Sequence, residues 1–119
     1  MQLKLTDIKN SSIAELVSEK IEIATLQDAI DLIGNAHFQG ADKIVIHERN
    51  LVPEFFDLKT KLAGDILQKI SNYRMQLAIV GDFSEYRSKS LADFIMESNK
   101  TKRILFLSSR EEAFENLIT

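Results

Sequence analysis

Three short apolar runs constrain this chain more than any other feature: Lys43-Ile44-Val45-Ile46-His47, residues 75–80, and Ile104-Leu105-Phe106-Leu107. Their interiors do not alternate with polar residues, which is the pattern of a strand covered on both faces. The segments between them are long enough for a helix. A strand that returns to its sheet after a helical crossover does so parallel and with a right-handed turn. The three runs therefore predict a parallel sheet core with helices packed on it.

The flanking sequence extends that core. Leu3, Leu5 and Ile8 read as a strand, Asn10-Ser11-Ser12 as a turn, and residues 13–17 as a second strand, giving an N-terminal hairpin that forms an antiparallel edge. Thr25-Leu26-Gln27-Asp28 is a capping signature, followed at helical spacing by Leu26, Ile30, Ile33 and His37, with Gly40 as the stop. Pro53-Glu54-Phe55-Phe56 suits a single helical turn. Asp57 is expected to cap the next helix, whose apolar stripe is Leu58, Leu62, Ile66, Ile70 and Tyr73. Ser90-Leu91-Ala92-Asp93 and Ser109-Arg110-Glu111-Glu112 open two more helices. The predicted fold is α/β, in the order β-β-α-β-α-β-α-β-α, a mixed sheet with parallel central strands. The chain has 119 residues, one proline and four glycines, and no repeat or linker, so residues 1–119 are read as one domain.

Composition removes several classes of function. There is no cysteine, which excludes disulfides, thiolate metal sites and cysteine nucleophiles. Fifteen basic against eighteen acidic side chains leave a net charge of −3, which speaks against a nucleic-acid or anionic-membrane partner. No apolar run approaches membrane-spanning length and no secretory signal is visible, so a cytoplasmic protein is expected. His47-Glu48 begins like a zinc-protease motif, but the second histidine would fall on Leu51. The glycines never lie closer than six residues apart, so no phosphate loop or dinucleotide fingerprint exists. With two histidines and no cysteine, neither a metal nor another cofactor is expected.

In an open α/β sheet, ligands sit beyond the carboxyl ends of the parallel strands. That rim gathers His47 and Glu48 after the third strand, Asp82, Phe83 and Ser84 after the fourth, and Ser108 and Ser109 after the fifth. Asp57, Lys59 and Thr60 open the helix on the same edge. His47, Glu48, Asp57, Lys59, Thr60, Asp82 and Ser84 are thus the candidate rim for a small molecule, an anion or a divalent cation. Cations in or beside first helical turns (Lys59, Lys61, Arg87, Lys89 and Arg110) favour an anion, or are offset by Glu54, Asp93, Glu111 and Glu112. Phe55 and Phe56 form the second candidate: either one ring packs inward while the other is an exposed anchor for a partner, or both are buried beneath their loop. His37 is expected to be partly buried with a hydrogen-bond partner, and Gly64 to mark close packing inside its helix. Arg87-Ser88-Lys89-Ser90 and residues 100–103 read as solvated basic loops.

The stretches Phe55-Phe56-Asp57-Leu58-Lys59-Thr60, Gly64-Asp65-Ile66-Leu67-Gln68-Lys69 and Ala78-Ile79-Val80-Gly81-Asp82-Phe83-Ser84 resemble a family of small bacterial proteins, domain of unknown function forty-one-eighty. The likeness extends to Gln27-Asp28-Ala29, Ile46-His47-Glu48 and Asp93-Phe94-Ile95. It implies no activity, because the family has none assigned. More distantly, the element order is similar to the STAS domain of anti-sigma-factor antagonists. That resemblance implies a small cytoplasmic regulatory module that binds a partner kinase and is switched by phosphorylation of a serine after an aspartate. The matching place reads Asp57-Leu58-Lys59-Thr60, with Leu58 where the serine would stand and Thr60 as the nearby hydroxyl. Two functions follow. The first is a non-catalytic module binding a protein partner, or a second copy of itself, around Phe55. The alternative is a small-molecule, anion or metal-binding protein, or an enzyme, using the strand-end rim.

Overall fold

A computed structural model describes residues 1–118. Strands β1 (Leu3–Ile8), β2 (Ser11–Leu16), β3 (Lys43–His47), β4 (Gln76–Val80) and β5 (Ile104–Leu107) form one sheet in sequential order. β1 pairs antiparallel with β2, and every later pair is parallel. Helices α1 (Leu26–Phe38), α2 (Leu62–Asn72), α3 (Lys89–Thr101) and α4 (Arg110–Leu117) complete the chain, with short 3-10 turns between β3 and α2. The predicted α/β order is the observed one.

Strand alternation sorts the core into two layers. Ile44, Ile46, Leu77, Ile79, Ile104 and Phe106 point to the side covered by α1, α2 and α3. Val45, Ala78 and Leu105 point to the other side, where Ala113 and Leu117 of α4 cover them. Sequential strand order with right-handed crossovers leaves the three crossover helices no choice but a common face. Only α4, which returns to no strand, is free to take the opposite one.

The sheet's two edges differ. On β5, Asn99 of α3 accepts from Phe106 N at 2.7 Å and donates to Phe106 O at 3.3 Å, standing in for the missing neighbour strand. On the hairpin side, Lys9 and Asn10 carry φ of 48° and 67°, the two-residue turn whose twist matches antiparallel strands. The turn is therefore Lys9-Asn10 rather than the expected Asn10-Ser11-Ser12, and Ser11 and Ser12 already belong to β2.

Helix ends follow local chemistry, with two shifts. Thr25 and Asp28 form the expected capping box, Ser109 caps α4, and Gly40, at φ 89°, follows the end of α1. Asp57 caps only a 3-10 turn, Leu58–Thr60; α2 begins at Leu62, after Lys61 at φ 66°. The cap of α3 is Ser88, two residues before the expected Ser90, because the Ser88 hydroxyl accepts from Leu91 N.

Of the two readings of the Phe55-Phe56 pair the buried one holds, and the expectations for His37 and Gly64 are corrected. Phe55 and Phe56 are both buried, so neither is an exposed anchor; their rings meet edge to face at 5.0 Å. The apolar core beneath the 3-10 turns has room for both, and burial of each ring outweighs exposing one. His37 is exposed and touches the Tyr73 ring edge-on. The buried stripe of α1 is Ala29, Leu32, Ile33 and Ala36, which turns His37 outward. Gly64 is exposed, and a side chain there would meet nothing within 4 Å, so no close packing explains it.

Candidate functional site

After β4 the chain passes to the α3 face; after β5, its neighbour, it passes to the α4 face. Adjacent strands whose exits part to opposite sides leave an opening at their carboxyl ends, the place where α/β sheets accept ligands. A crevice of about 500 Å³ lies there, lined by Gly81, Asp82, Phe83, Phe106, Leu107, Ser108 and Glu112. Its apolar floor is Phe83 against Phe106, edge to face at 5.3 Å.

Two carboxylates give the crevice its charge. Asp82 accepts from Ser84 Oγ at 2.7 Å and Ser84 N at 3.0 Å, and these bonds hold its carboxyl below the usual carboxylate range. Glu112 accepts from the Ser108 hydroxyl at 2.5 Å, while its amide donates to the capping Ser109. The lining thus combines acceptors with an apolar base. Such a surface favours hydrogen-bond donors and cations and disfavours anions. Two of the five first-turn cations that suggested an anion are engaged elsewhere: Lys89 pairs with Asp93 at 2.9 Å, and Arg110 reaches Glu15.

Glu48 forms the support behind the crevice. Its Oε1 accepts from Asp82 N at 3.2 Å and its Oε2 from the Tyr86 hydroxyl. Tyr86 stacks on Phe56 at 4.6 Å between centroids. Burial, and then the Glu48 carboxylate, push the Tyr86 phenol well above its ordinary range. Glu48 therefore joins the loop after β3 to the loop after β4. The buried Phe55-Phe56 pair belongs to the same construction.

His47 lies on the same rim, opposite Val80 in the β3–β4 register, but belongs to a different cluster. Its Nε2 is 3.4 Å from Glu15 Oε2, and Arg110 Nε donates to both oxygens of Glu15 at 2.9 Å. The Arg110 guanidinium also covers the Phe114 ring at 4.4 Å. Glu15 is buried, and a buried carboxylate requires such partners. Asp57, Lys59 and Thr60 form a third group. Asp57 Oδ1 accepts from Lys59 N, and the Thr60 hydroxyl lies 2.8 Å from both Glu54 O and Asp57 O.

The rim residues therefore divide. Asp82 lines the crevice with Glu48 and Ser84 bonded to it from outside the lining, His47 joins Glu15 and Arg110 on the α4 side, and Asp57, Lys59 and Thr60 hold their own turn. Among the described residues no group of three or more histidine, aspartate or glutamate side chains is arranged to hold a metal ion.

Sequence reasoning left several contributors out of the site. Glu112 was visible only as a helix-opening acid, and Tyr86 carried no signal at all. Glu15, a lone carboxylate between Ile13-Ala14 and Leu16, was a detectable anomaly, but its partner Arg110 lies 95 residues away. Asn50 is fully buried: its amide donates to Ser18 O and Lys20 O, and its Oδ1 accepts from His47 N. It fastens the segment after β2 to the loop after β3.

Among curated proteins none matches this sequence. The sequence model of one family, Domain of unknown function (DUF4180), matches residues 8–117. The chain belongs to that family.

Proposed function

We propose that this member of the DUF4180 family is a non-catalytic binding module whose crevice between the ends of β4 and β5 takes a small donor-rich solute, an amine or a polyol. The observation that carries the reading is the divergence of the two strand exits, with Asp82 and Glu112 set above the Phe83–Phe106 floor. A protonated amine or a row of hydroxyls supplies donors to the carboxylates, and the hydrocarbon part of the solute covers the rings. The non-catalytic part of the reading rests on how the polar groups are used. Asp82 is bonded to Ser84, Glu112 to Ser108, Glu48 to Tyr86, and His47 lies beside Glu15. Each is tied into a contact within or between loops and strand ends instead of converging on one reacting atom. The STAS-like element order supports a regulatory setting for such a module, and Thr60 acts in that comparison as a turn-capping hydroxyl.

The test is an amide-resolved NMR titration with amines, amino sugars, polyols and, as the contrary class, inorganic phosphate. Amine or polyol is expected to shift residues 81–83 and 107–112. Asp82→Asn combined with Glu112→Gln is expected to weaken that binding about tenfold or more, as loss of charged hydrogen bonds does. Shifts produced by phosphate alone, shifts confined to another part of the molecule, or none across the panel would overturn the assignment.

A further inference from the structure

Each carboxylate of the crevice uses one oxygen inside the protein and leaves the other open. Both Ser84 bonds to Asp82 fall on Oδ1, and the Ser108 and Ser109 hydroxyls reach Glu112 at Oε1. Among the described residues no donor reaches Asp82 Oδ2 or Glu112 Oε2. The two side chains come from segments that leave the sheet on opposite faces, so they enter the lining from different sides. The lining holds no lysine, arginine or histidine. Arg110, the cation nearest Glu112 in the chain, is drawn away by Glu15 and the Phe114 ring. Two carboxylates thus share one crevice with no positive charge in its lining, above the Phe83–Phe106 floor.

We propose that the crevice selects a dication, an aliphatic diamine whose two ammonium groups donate to Asp82 Oδ2 and Glu112 Oε2 while its methylenes lie along Phe83 and Phe106. This inference rests on the reading of the crevice as a binding site and narrows its solute to one class. A monoamine supplies one positive charge and a polyol none, so either leaves at least one carboxylate uncompensated. A diamine compensates both, and once one end is bound the second bond forms within the complex rather than from solution. The Ser84 bonds favour the charged form of Asp82, which keeps that carboxylate ionised at neutral pH. The spacer between the ammonium groups is hydrocarbon, which matches an apolar floor between polar sides. A volume of about 500 Å³ holds such a molecule. The same oxygens suit a divalent metal ion poorly. Calcium takes about six or more oxygen ligands, and among the described residues no group of three acidic or histidine side chains is arranged for one.

Calorimetry on the full chain at neutral pH and fixed ionic strength tests the selection. The probes are ethylenediamine, tetramethylenediamine and hexamethylenediamine, with butylamine as the singly charged control and calcium chloride as a compact dication. Amide-resolved NMR locates each binding event. At least one diamine is expected to bind about tenfold or more tighter than butylamine, beyond the roughly twofold that two identical ends give by statistics. It should shift residues 81–83 and 107–112. Asp82→Asn and Glu112→Gln, taken singly, should each bring that diamine to within about threefold of butylamine, because either one removes one end's charged partner. Both substitutions keep the size of the side chain, and circular dichroism should stay unchanged. Three results would each sink the diamine while leaving the crevice as a binding site: no diamine tighter than butylamine, an advantage that survives both single variants, or calcium bound at the same amides as tightly as the best diamine. Absence of crevice shifts with every amine and polyol would remove the underlying reading as well.

Discussion

Gly81 stands so close to Glu48 that a β-carbon on Gly81 would lie 2.6 Å from Glu48 Cβ and 2.6 Å from its Oε1. No rotation of the carboxylate relieves a contact with Cβ, so the backbone must give way. Gly81→Ala is expected to destabilise the protein by about 1–3 kcal/mol, the range for overpacking. Glu48→Gly removes both clashing atoms, so the double variant should be clearly less destabilised than the sum of the single ones. Urea denaturation of the three variants measures the coupling.

Gly64 presents the opposite case. It is exposed in α2 and open space surrounds the position of a β-carbon. Gly64→Ala should stabilise by about 0.5–1 kcal/mol through the lower entropy of the unfolded chain. The denaturation midpoint should rise with an unchanged slope. A fall in the midpoint would show packing that the monomer does not contain.

Asn50→Ala removes the partner of the His47 amide and of Lys20 O, while Ser18 O keeps Arg49 Nε. The expected loss is about 1–3 kcal/mol, from the lost hydrogen bonds of a fully buried side chain. Hydrogen exchange should locate the change, with the amides of Glu22 and Ile23, which donate to Asn50 O, exchanging faster than those of the sheet.

Acid should loosen the loop after β4. The Asp82 carboxyl lies below its ordinary value of 3.8 in the folded protein, so its contribution is present above that value and is lost as pH falls through the folded one. Thermal melts below pH 4 should therefore show a decline that is smaller in Asp82→Asn.

Alkali acts in the other direction on Tyr86. Its phenol lies above the ordinary value of 10.0, so its contribution is complete below that pH and is lost as pH rises towards the folded value. Wild type should lose stability above pH 10, and Tyr86→Phe should lose less over the same range. An identical alkaline slope in both proteins would show that Tyr86 does not hold Glu48 in solution.

The legible part of the fold was the part written in local pattern. The runs at β3, β4 and β5 announced themselves because strands covered on both faces are apolar throughout, and helix-length spacers leave parallel pairing as the available geometry. Thr25, Ser109 and Gly40 were readable because a cap is a bond between near neighbours. Asp82 was placed on the rim by the same reasoning and lines the crevice, while Ser84 lies outside the lining and bonds to its carboxylate. The orientation of His47 was not readable: its strand parity turns it towards α4, and nothing near it in sequence names Glu15 or Arg110. Phe55 and Phe56 left two readings open because a loop pair has no period to say which ring is inside.

Local periodicity and capping, then, settled which segments are strands and helices and that their polar ends share a rim, since those preferences act over a few residues of backbone. Which face α4 covers, which carboxylate meets which donor, and where a cleft opens were decided only when distant segments met. Burial and charge pairing act through space, and the separation of Glu15 from Arg110, or of Glu48 from Tyr86, leaves no trace in the order of the residues.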